Sequence, residues 1–354
     1  MTSTRRAIRP PHYEEDTMQA ARPADATAAT ATAQPASTTL AYLPVGVFGA
    51  VMGLTGLALA WRLAHQGFGA PAAIGQAIGG LALVAFIVLA AAYGIKAVAG
   101  FHTVRAEFAH PVAGNLFGTP LISLLLLPLV LADVSLTLAR LAWVLGAAGM
   151  TSLAWIVVTR WLSVRHTPAQ LTPAWIVPVV GMLDIPLAVP ALHWDGLHGV
   201  MVFGLAVGLF FALPLLAMLL HRLATEEALA PGLQPSLLIL VAPFAVGFSA
   251  YTTTFGHVDA FAEGLVMVML FLLPVLLGRV AHLPLRAPFR LGWWAASFPL
   301  AASAVAALRY AAVAREPVMD AIALGVLGVA TIVIAAFGAW TVRAVVTGRV
   351  REVS

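Results

Sequence analysis

From residue 43 onward the chain alternates long apolar stretches with short polar ones, and the apolar stretches lack a two-residue period. A helix that crosses the hydrocarbon core needs roughly 20 predominantly apolar residues. Ten stretches meet that length: 43–63, 72–98, 112–131, 136–160, 173–192, 197–220, 235–254, 258–279, 292–313 and 318–345. They are continuous runs of Leu, Ala and Val, whereas barrel strands would alternate apolar and polar residues. The pattern predicts an all-α membrane protein with ten transmembrane helices. Connections alternate in length. Residues 133–135 and 255–257 are tight turns on one side, while 161–172 and 221–234 are longer loops on the other. Helices joined by the tight turns form five helical hairpins.

Composition supports the same solvent. Of the 354 residues, 61% are apolar and 10% charged, where soluble domains carry about 25% charged residues. Mean hydropathy is +0.95. A soluble globular fold and a wholly disordered chain are both excluded. The chain has no cysteine, which removes disulfides, thiolate metal sites and cysteine nucleophiles. Residues 1–40 differ from the rest: they are polar, end in the run ADATAATATAQPASTT, and have nothing to bury. They are expected to form a disordered segment, and no apolar core follows the early arginines as in a secretory signal. The expected organisation is therefore 1–40 disordered, 41–346 transmembrane and 347–354 a short basic tail.

Charge orients the bundle. With the N-terminus inside, 15 of the 19 Lys and Arg residues fall on the inner side, and only Arg62, Arg140, Arg309 and Arg315 on the outer side. This bias predicts an inner (plasma) membrane protein with both termini cytoplasmic. No basic stripe interleaves with aromatics, so a nucleic-acid partner is not expected.

Proline inside a membrane helix frees the carbonyl four residues earlier, which only protein or a wet lumen can satisfy. These interruptions favour the odd-numbered helices: Pro120 and Pro128 in the third, Pro178, Pro186 and Pro190 in the fifth, Pro243 in the seventh, Pro299 in the ninth. Polar residues follow the same bias, with Asn115, Thr119 and Ser123 on the third, Ser249, Thr252 and Thr253 on the seventh, Ser297 and Ser303 on the ninth. One reading makes the odd helices an inner, kinked, slightly polar ring around a central pore. The other is ordinary packing, since Pro and Gly are common in membrane helices. Gly49 and Gly53 form a small-xxx-small pair that permits close helix approach.

Five segments, in this order, resemble one family: FGAVMGLTGLALAWR (48–62), AEFAHPV (106–112), TPAWIVPVVG (172–181), PSLLILVAPFAVGFSAY (235–251) and WWAASFPLAA (293–302). They are similar to the tellurite-resistance/dicarboxylate transporter family, which includes bacterial tellurite-resistance proteins and plant slow-type anion channels. The resemblance implies five hairpins about a quasi-fivefold axis, odd helices lining a pore in each protomer, a homotrimer, and small inorganic or carboxylate anions as the conducted partners. It also implies a pore gate formed by a phenylalanine that matches Phe298. Pro299 cannot bond to the carbonyl of Ala295, so the helix is expected to kink there and turn the ring into the lumen. An apolar constriction of this kind gates by dewetting. Taken without the resemblance, Phe298 reads as a residue that packs between helices or faces lipid.

Asp184 sits mid-way along the fifth helix. A carboxylate at that depth is a functional candidate by default, and it opposes anion passage. Three readings stand: a neutral acid, a pair with Arg309 or Arg140, or a proton site for coupled anion movement. Arg309 and Glu263 read as wet interfacial residues. His102 and His110 share one loop and His193 and His198 flank another, but no pair has metal-ligand spacing within a helix, so neither metal nor cofactor is expected. No phosphate-cradling loop or nucleophile elbow is present, which argues against an enzyme. The leading expectation is a gated anion channel, with Pro128, Pro178 and Pro243 as further pore-helix kinks. The alternative is a proton-coupled carrier of a malate-like dicarboxylate, sulfite or tellurite.

Overall fold

The computed structural model describes residues 40–283 and 287–354, so all of the expected disordered segment except Leu40 lies outside the described residues. Nine helices among the described residues are long and apolar enough to cross a membrane: Val45–Phe68, Ala72–Ala99, Ala113–Leu131, Leu136–Ser163, His198–Thr225, Pro231–Phe255, Ala260–Val280, Leu291–Ala314 and Pro317–Val346. These match nine of the ten expected stretches, with ends shifted by a few residues. The remaining stretch, the fifth, is not one helix. It is a chain of short helical turns, Pro173–Ile176, Val177–Val180, Gly181–Asp184 and Val189–Leu192. Pro173, Pro178, Pro186 and Pro190 each lack the N–H that a continuous helix would use. Almost every residue of this segment is buried. Irregular backbone is tolerated at membrane depth only under that condition.

Counting the broken stretch as the fifth segment, odd and even segments differ in kind. The first, third, seventh and ninth helices are buried over most of their length, and the even helices over a minority. The even helices are also the more apolar set. A helix that is hydrophobic all round and exposed belongs against lipid. Each even helix packs on the odd segment before it. The odd segments close into a ring: the first packs on the third, the third on the fifth, the fifth on the seventh, the seventh on the ninth, and the ninth returns to the first.

Every odd segment opens with a tight 3₁₀ stretch before any α-helix begins. The stretches are Val45–Phe48, Ala113–Phe117, Pro173–Ile176, Pro231–Val241 and Leu291–Ala296. In four of them the switch to α geometry is marked by a proline at the second or third α position: Pro120, Pro178, Pro243 and Pro299. Of the positions expected to kink, Pro178, Pro243 and Pro299 fall at these 3₁₀-to-α junctions. A proline in the first α turn needs no N–H donor there, so it ends the 3₁₀ stretch without breaking an α-helix. Pro128 differs: it begins a separate turn, Pro128–Leu131, after a break at Leu127.

Two smaller elements lie in the connections. Helix Phe101–Ala109 occupies the loop after the second segment. The tail folds into a short turn, Val350–Val353, where Arg351 lies over the ring of Tyr42 at 5.3 Å.

Candidate functional site

At the level of the 3₁₀-to-α junctions the odd segments enclose a cavity of about 70 Å³. All five contribute to its wall, and no even segment does. The first supplies Gly46, Gly49 and Met52; the third Leu116, Thr119 and Ile122; the fifth Ile176, Val177, Val180, Gly181 and Asp184; the seventh Ile239, Ala242 and Val246; the ninth Gly292, Trp294, Ala295, Phe298 and Pro299. The wall is apolar apart from Thr119, Asp184 and the main-chain groups of the junctions.

Phe298 and Pro299 thus lie together on the cavity wall. Phe298 is 7% exposed, so the lipid-facing reading is excluded. Its ring passes Gly56, where an added Cβ would stand 3.7 Å from Phe298 Cδ2 and 2.9 Å from Ala301 Cβ. Glycine there leaves the ring room on the side of the first segment. Pro178 and Pro243 adjoin wall residues Val177 and Ala242 without lining the cavity themselves, and Pro128 is remote from it.

Apart from Ser249, whose buried Oγ has no partner among the described residues, the hydroxyls expected to line a path serve another end. Thr119 Oγ1 donates to the carbonyls of Val45 (3.0 Å) and Leu116 (2.8 Å). Ser123 Oγ donates to those of Phe48 (3.3 Å) and Thr119 (2.8 Å). Ser297 Oγ donates to those of Gly49 (2.9 Å) and Trp294 (2.7 Å). Asn115, Thr252 and Ser303 likewise donate to nearby backbone carbonyls. These side chains satisfy carbonyls near the junctions, and of the eight polar residues singled out on odd segments only Thr119 touches the cavity.

Asp184 closes the Gly181–Asp184 turn with its side chain buried on the wall. Its Oδ1 has no hydrogen-bond partner among the described residues. Of the three readings of Asp184, the pair with Arg309 or Arg140 is not formed. Arg140 donates to the carbonyls of Leu192 (3.1 Å) and His193 (2.7 Å), and Arg309 to Thr253 Oγ1 (2.9 Å) and the Ser249 carbonyl (3.4 Å). The fifth segment's broken backbone directs Asp184 inward, while both arginines are held by neutral oxygens elsewhere. Arg309 is half-buried: it bonds to the seventh segment and also lines an open cavity with Arg315 and Asp320.

A second charged centre was not anticipated. Lys96, counted among loop cations, is buried in the last turn of the second helix and contacts Glu107 Oε2 at 2.6 Å. Its Nζ also donates to the Leu43 carbonyl at 2.7 Å. Glu107 Oε1 accepts the Val45 N–H at 2.7 Å, and Oε2 accepts the Tyr93 hydroxyl at 3.0 Å. This network ties helix Phe101–Ala109 to the 3₁₀ start of the first segment. The only signal for it was a lone lysine at the end of an apolar run, eleven residues before a glutamate. His110 Nδ1 accepts the N–H groups of Val112 and Ala113, holding the turn into the third segment. Among the described residues no group of three or more His, Asp or Glu is placed to hold a metal ion.

An all-helical, multi-pass membrane protein with an axial cavity enclosed by five inner segments is the class these features define. A family model described as SLAC1, voltage-dependent anion channel, matches residues 42–345, and the chain belongs to that family. It is 27% identical over 299 residues to the S-type anion channel SLAH3 of Arabidopsis thaliana, covering 82% of this chain and 46% of that protein. It is 26% identical over 286 residues to the guard cell S-type anion channel SLAC1 of the same plant, covering 77% and 50%. The tellurite resistance protein TehA homolog of Haemophilus influenzae is 27% identical over 275 residues, covering 76% and 81%. The chain spans about half the length of these two plant relatives.

Proposed function

We propose that this protein is a gated anion channel of the inner membrane. Small inorganic or carboxylate anions pass along the axis of each protomer, and Phe298 occludes the route. The observation that carries this reading is the closed ring of five odd segments around one cavity, with the Phe298 ring on its wall. An anion crossing an apolar constriction must shed water, so the phenyl ring is the barrier and its removal the opening. Names of relatives support anions as the conducted class. In this reading the chain crosses the membrane ten times as five hairpins, with residues 41–346 as the channel, segments 1–40 and 347–354 both cytoplasmic, and three protomers in the assembly.

One observation favours a second reading, a proton-coupled carrier of a dicarboxylate, sulfite or tellurite. Asp184 is a carboxylate on the cavity wall with an unpartnered oxygen. Flux into liposomes separates the two. A channel gives downhill chloride flux that rises about tenfold or more in Phe298→Ala, equivalent to at least ~1.4 kcal/mol off the barrier, and needs no proton gradient. Flux in Phe298→Ala at the level of empty liposomes would remove the gate.

A further inference from the structure

Arg309 stands eleven residues beyond Phe298 on an uninterrupted α-helix, Ser297–Ala314. Eleven residues are about three full turns and about 16 Å, so the two side chains leave the same face of the helix at different depths. Val246 and Thr253, seven apart on the seventh segment, share a face in the same way. Phe298 and Val246 line the cavity. The contact between Arg309 Nη1 and Thr253 Oγ1, at 2.9 Å, therefore lies on the cavity-facing sides of two adjoining inner segments, nearer the end at which odd segments finish.

Arg309 forms no ion pair among the described residues. Its recorded partners, Thr253 Oγ1 and the Ser249 carbonyl, are neutral, and both bind Nη1. Among the described residues no carboxylate stands within ion-pair distance of it, and three acids at that end are engaged elsewhere. Asp133 meets Arg62 at 3.1 Å, Asp259 accepts the Tyr251 hydroxyl at 2.6 Å, and Glu263 accepts the Tyr310 hydroxyl at 2.6 Å. A part-buried guanidinium without a counter-ion is costly unless an anion reaches it. Space for one exists beside it: Arg309 also lines an open cavity of about 530 Å³ between the ends of the first and ninth segments and the start of the tenth, shared with Arg315 and one acid, Asp320. With Nη1 anchored, the edge formed by Nε and Nη2 is the part of the fork without a recorded protein bond. That edge matches two oxygens of a planar anion.

We propose that Arg309, braced by Thr253, is an anion-binding station of the conduit, selective for a carboxylate or planar oxyanion. This rests on the channel reading above and adds the site at which an anion waits beyond the phenylalanine. The test uses the full chain carrying Phe298→Ala in planar bilayers, titrating nitrate, acetate and chloride from each side. Arg309→Gln is expected to raise the half-saturating nitrate and acetate concentrations about tenfold from the side nearer Arg309 and to leave the opposite side unchanged. Arg309→Lys, a point charge without a fork, is expected to restore chloride handling but not the oxyanion preference. Unchanged half-saturation in Arg309→Gln, with Phe298→Ala conducting, overturns the station and leaves the channel standing. If Phe298→Ala conducts nothing, the channel reading fails by itself. The station is then judged on the melting temperature of the detergent-solubilised full chain titrated with nitrate. A rise lost in Arg309→Gln and partly kept in Arg309→Lys supports it, and equal curves overturn it.

Discussion

Ser297 Oγ donates to the Gly49 carbonyl at 2.9 Å, across the seam where the ninth segment lies on the first. The approach depends on glycine. A Cβ at Gly53 would overlap Ser297 Oγ and Cβ and stand 3.2 Å from the Ser297 carbonyl carbon, and one at Gly49 would stand 3.0 Å from the Trp294 carbonyl oxygen. Close approach lets a hydroxyl one residue before Phe298 fix the depth of the ring. Gly53→Ala is therefore expected to cost about 1–3 kcal/mol, the usual range for overpacking. It should lower the melting temperature in detergent, and Ser297→Gly in the same chain should recover part of the loss, as a double-mutant cycle reports. Gly80→Ala, where nothing lies within 4 Å of the added carbon, should be neutral or stabilising.

That seam also indicates what the amino-acid pattern can and cannot reveal. Small residues at 49, 53 and 56 announce a close contact, but not with which helix. The ten stretches were legible because lipid imposes a length and an apolar content on each. The inner ring was legible through its prolines. The form of the prolines was not: whether Pro299 kinks an α-helix or ends a 3₁₀ stretch depends on main-chain bonds several residues upstream. The fifth segment looked helical because apolar content alone does not register that four prolines within 20 residues leave too few donors. Polar residues misled in the opposite way, since a hydroxyl that closes a neighbouring carbonyl and one that faces a lumen are identical in sequence. Phe298 was placed by family resemblance, and its position on the cavity wall follows from the fold.

The Lys96–Glu107 pair joins the second segment, the loop helix and the first amide of the 3₁₀ start that carries Gly46 and Gly49. Both side chains are largely or fully buried, at 2% and 13% exposure. Removing one partner of a buried pair strands the other, at about 3–5 kcal/mol, whereas removing both charges is far milder. Lys96→Met is thus expected to destabilise severely, and Lys96→Met with Glu107→Gln to recover much of it. Thermal unfolding of the three proteins in one detergent checks this. If the single and double variants melt together, the pair contributes no coupling.

Asp259 caps the eighth segment: its Oδ1 accepts the N–H groups of Phe261 and Ala262, and its Oδ2 accepts the Tyr251 hydroxyl. The Tyr251 hydrogen bond, aided by those amides, holds its carboxyl below the ordinary 3.8. A carboxyl depressed in the folded state adds stability that is present above its unfolded value and lost as pH falls through the folded one. The parent should therefore be more stable than Asp259→Ala at pH 7, with the gap narrowing as pH drops below about 4. Melting temperatures of both proteins from pH 7 to pH 3 measure it. A constant gap would mean that the cap works without its charge.

Asp184 decides between channel and carrier because it faces the same cavity as Phe298 and, among the described residues, pairs with no cation. An ionised carboxylate there repels an anion within a few ångströms, and a protonated one does not. In a passive channel the residue only modulates flow. Asp184→Asn in the Phe298→Ala background should then keep downhill chloride flux, and that flux should be insensitive to pH. With Asp184 present, flux should fall as pH is raised through the titration of the carboxylate. In a carrier the same proton is stoichiometric with substrate. Parent protein would accumulate malate against its gradient when a proton gradient is imposed, and Asp184→Asn would abolish accumulation while exchange at equal concentrations persisted. Paired chloride and malate measurements at pH 5.5 and 8 in liposomes distinguish the outcomes. Proton-driven malate accumulation that depends on Asp184 would replace the channel with the carrier.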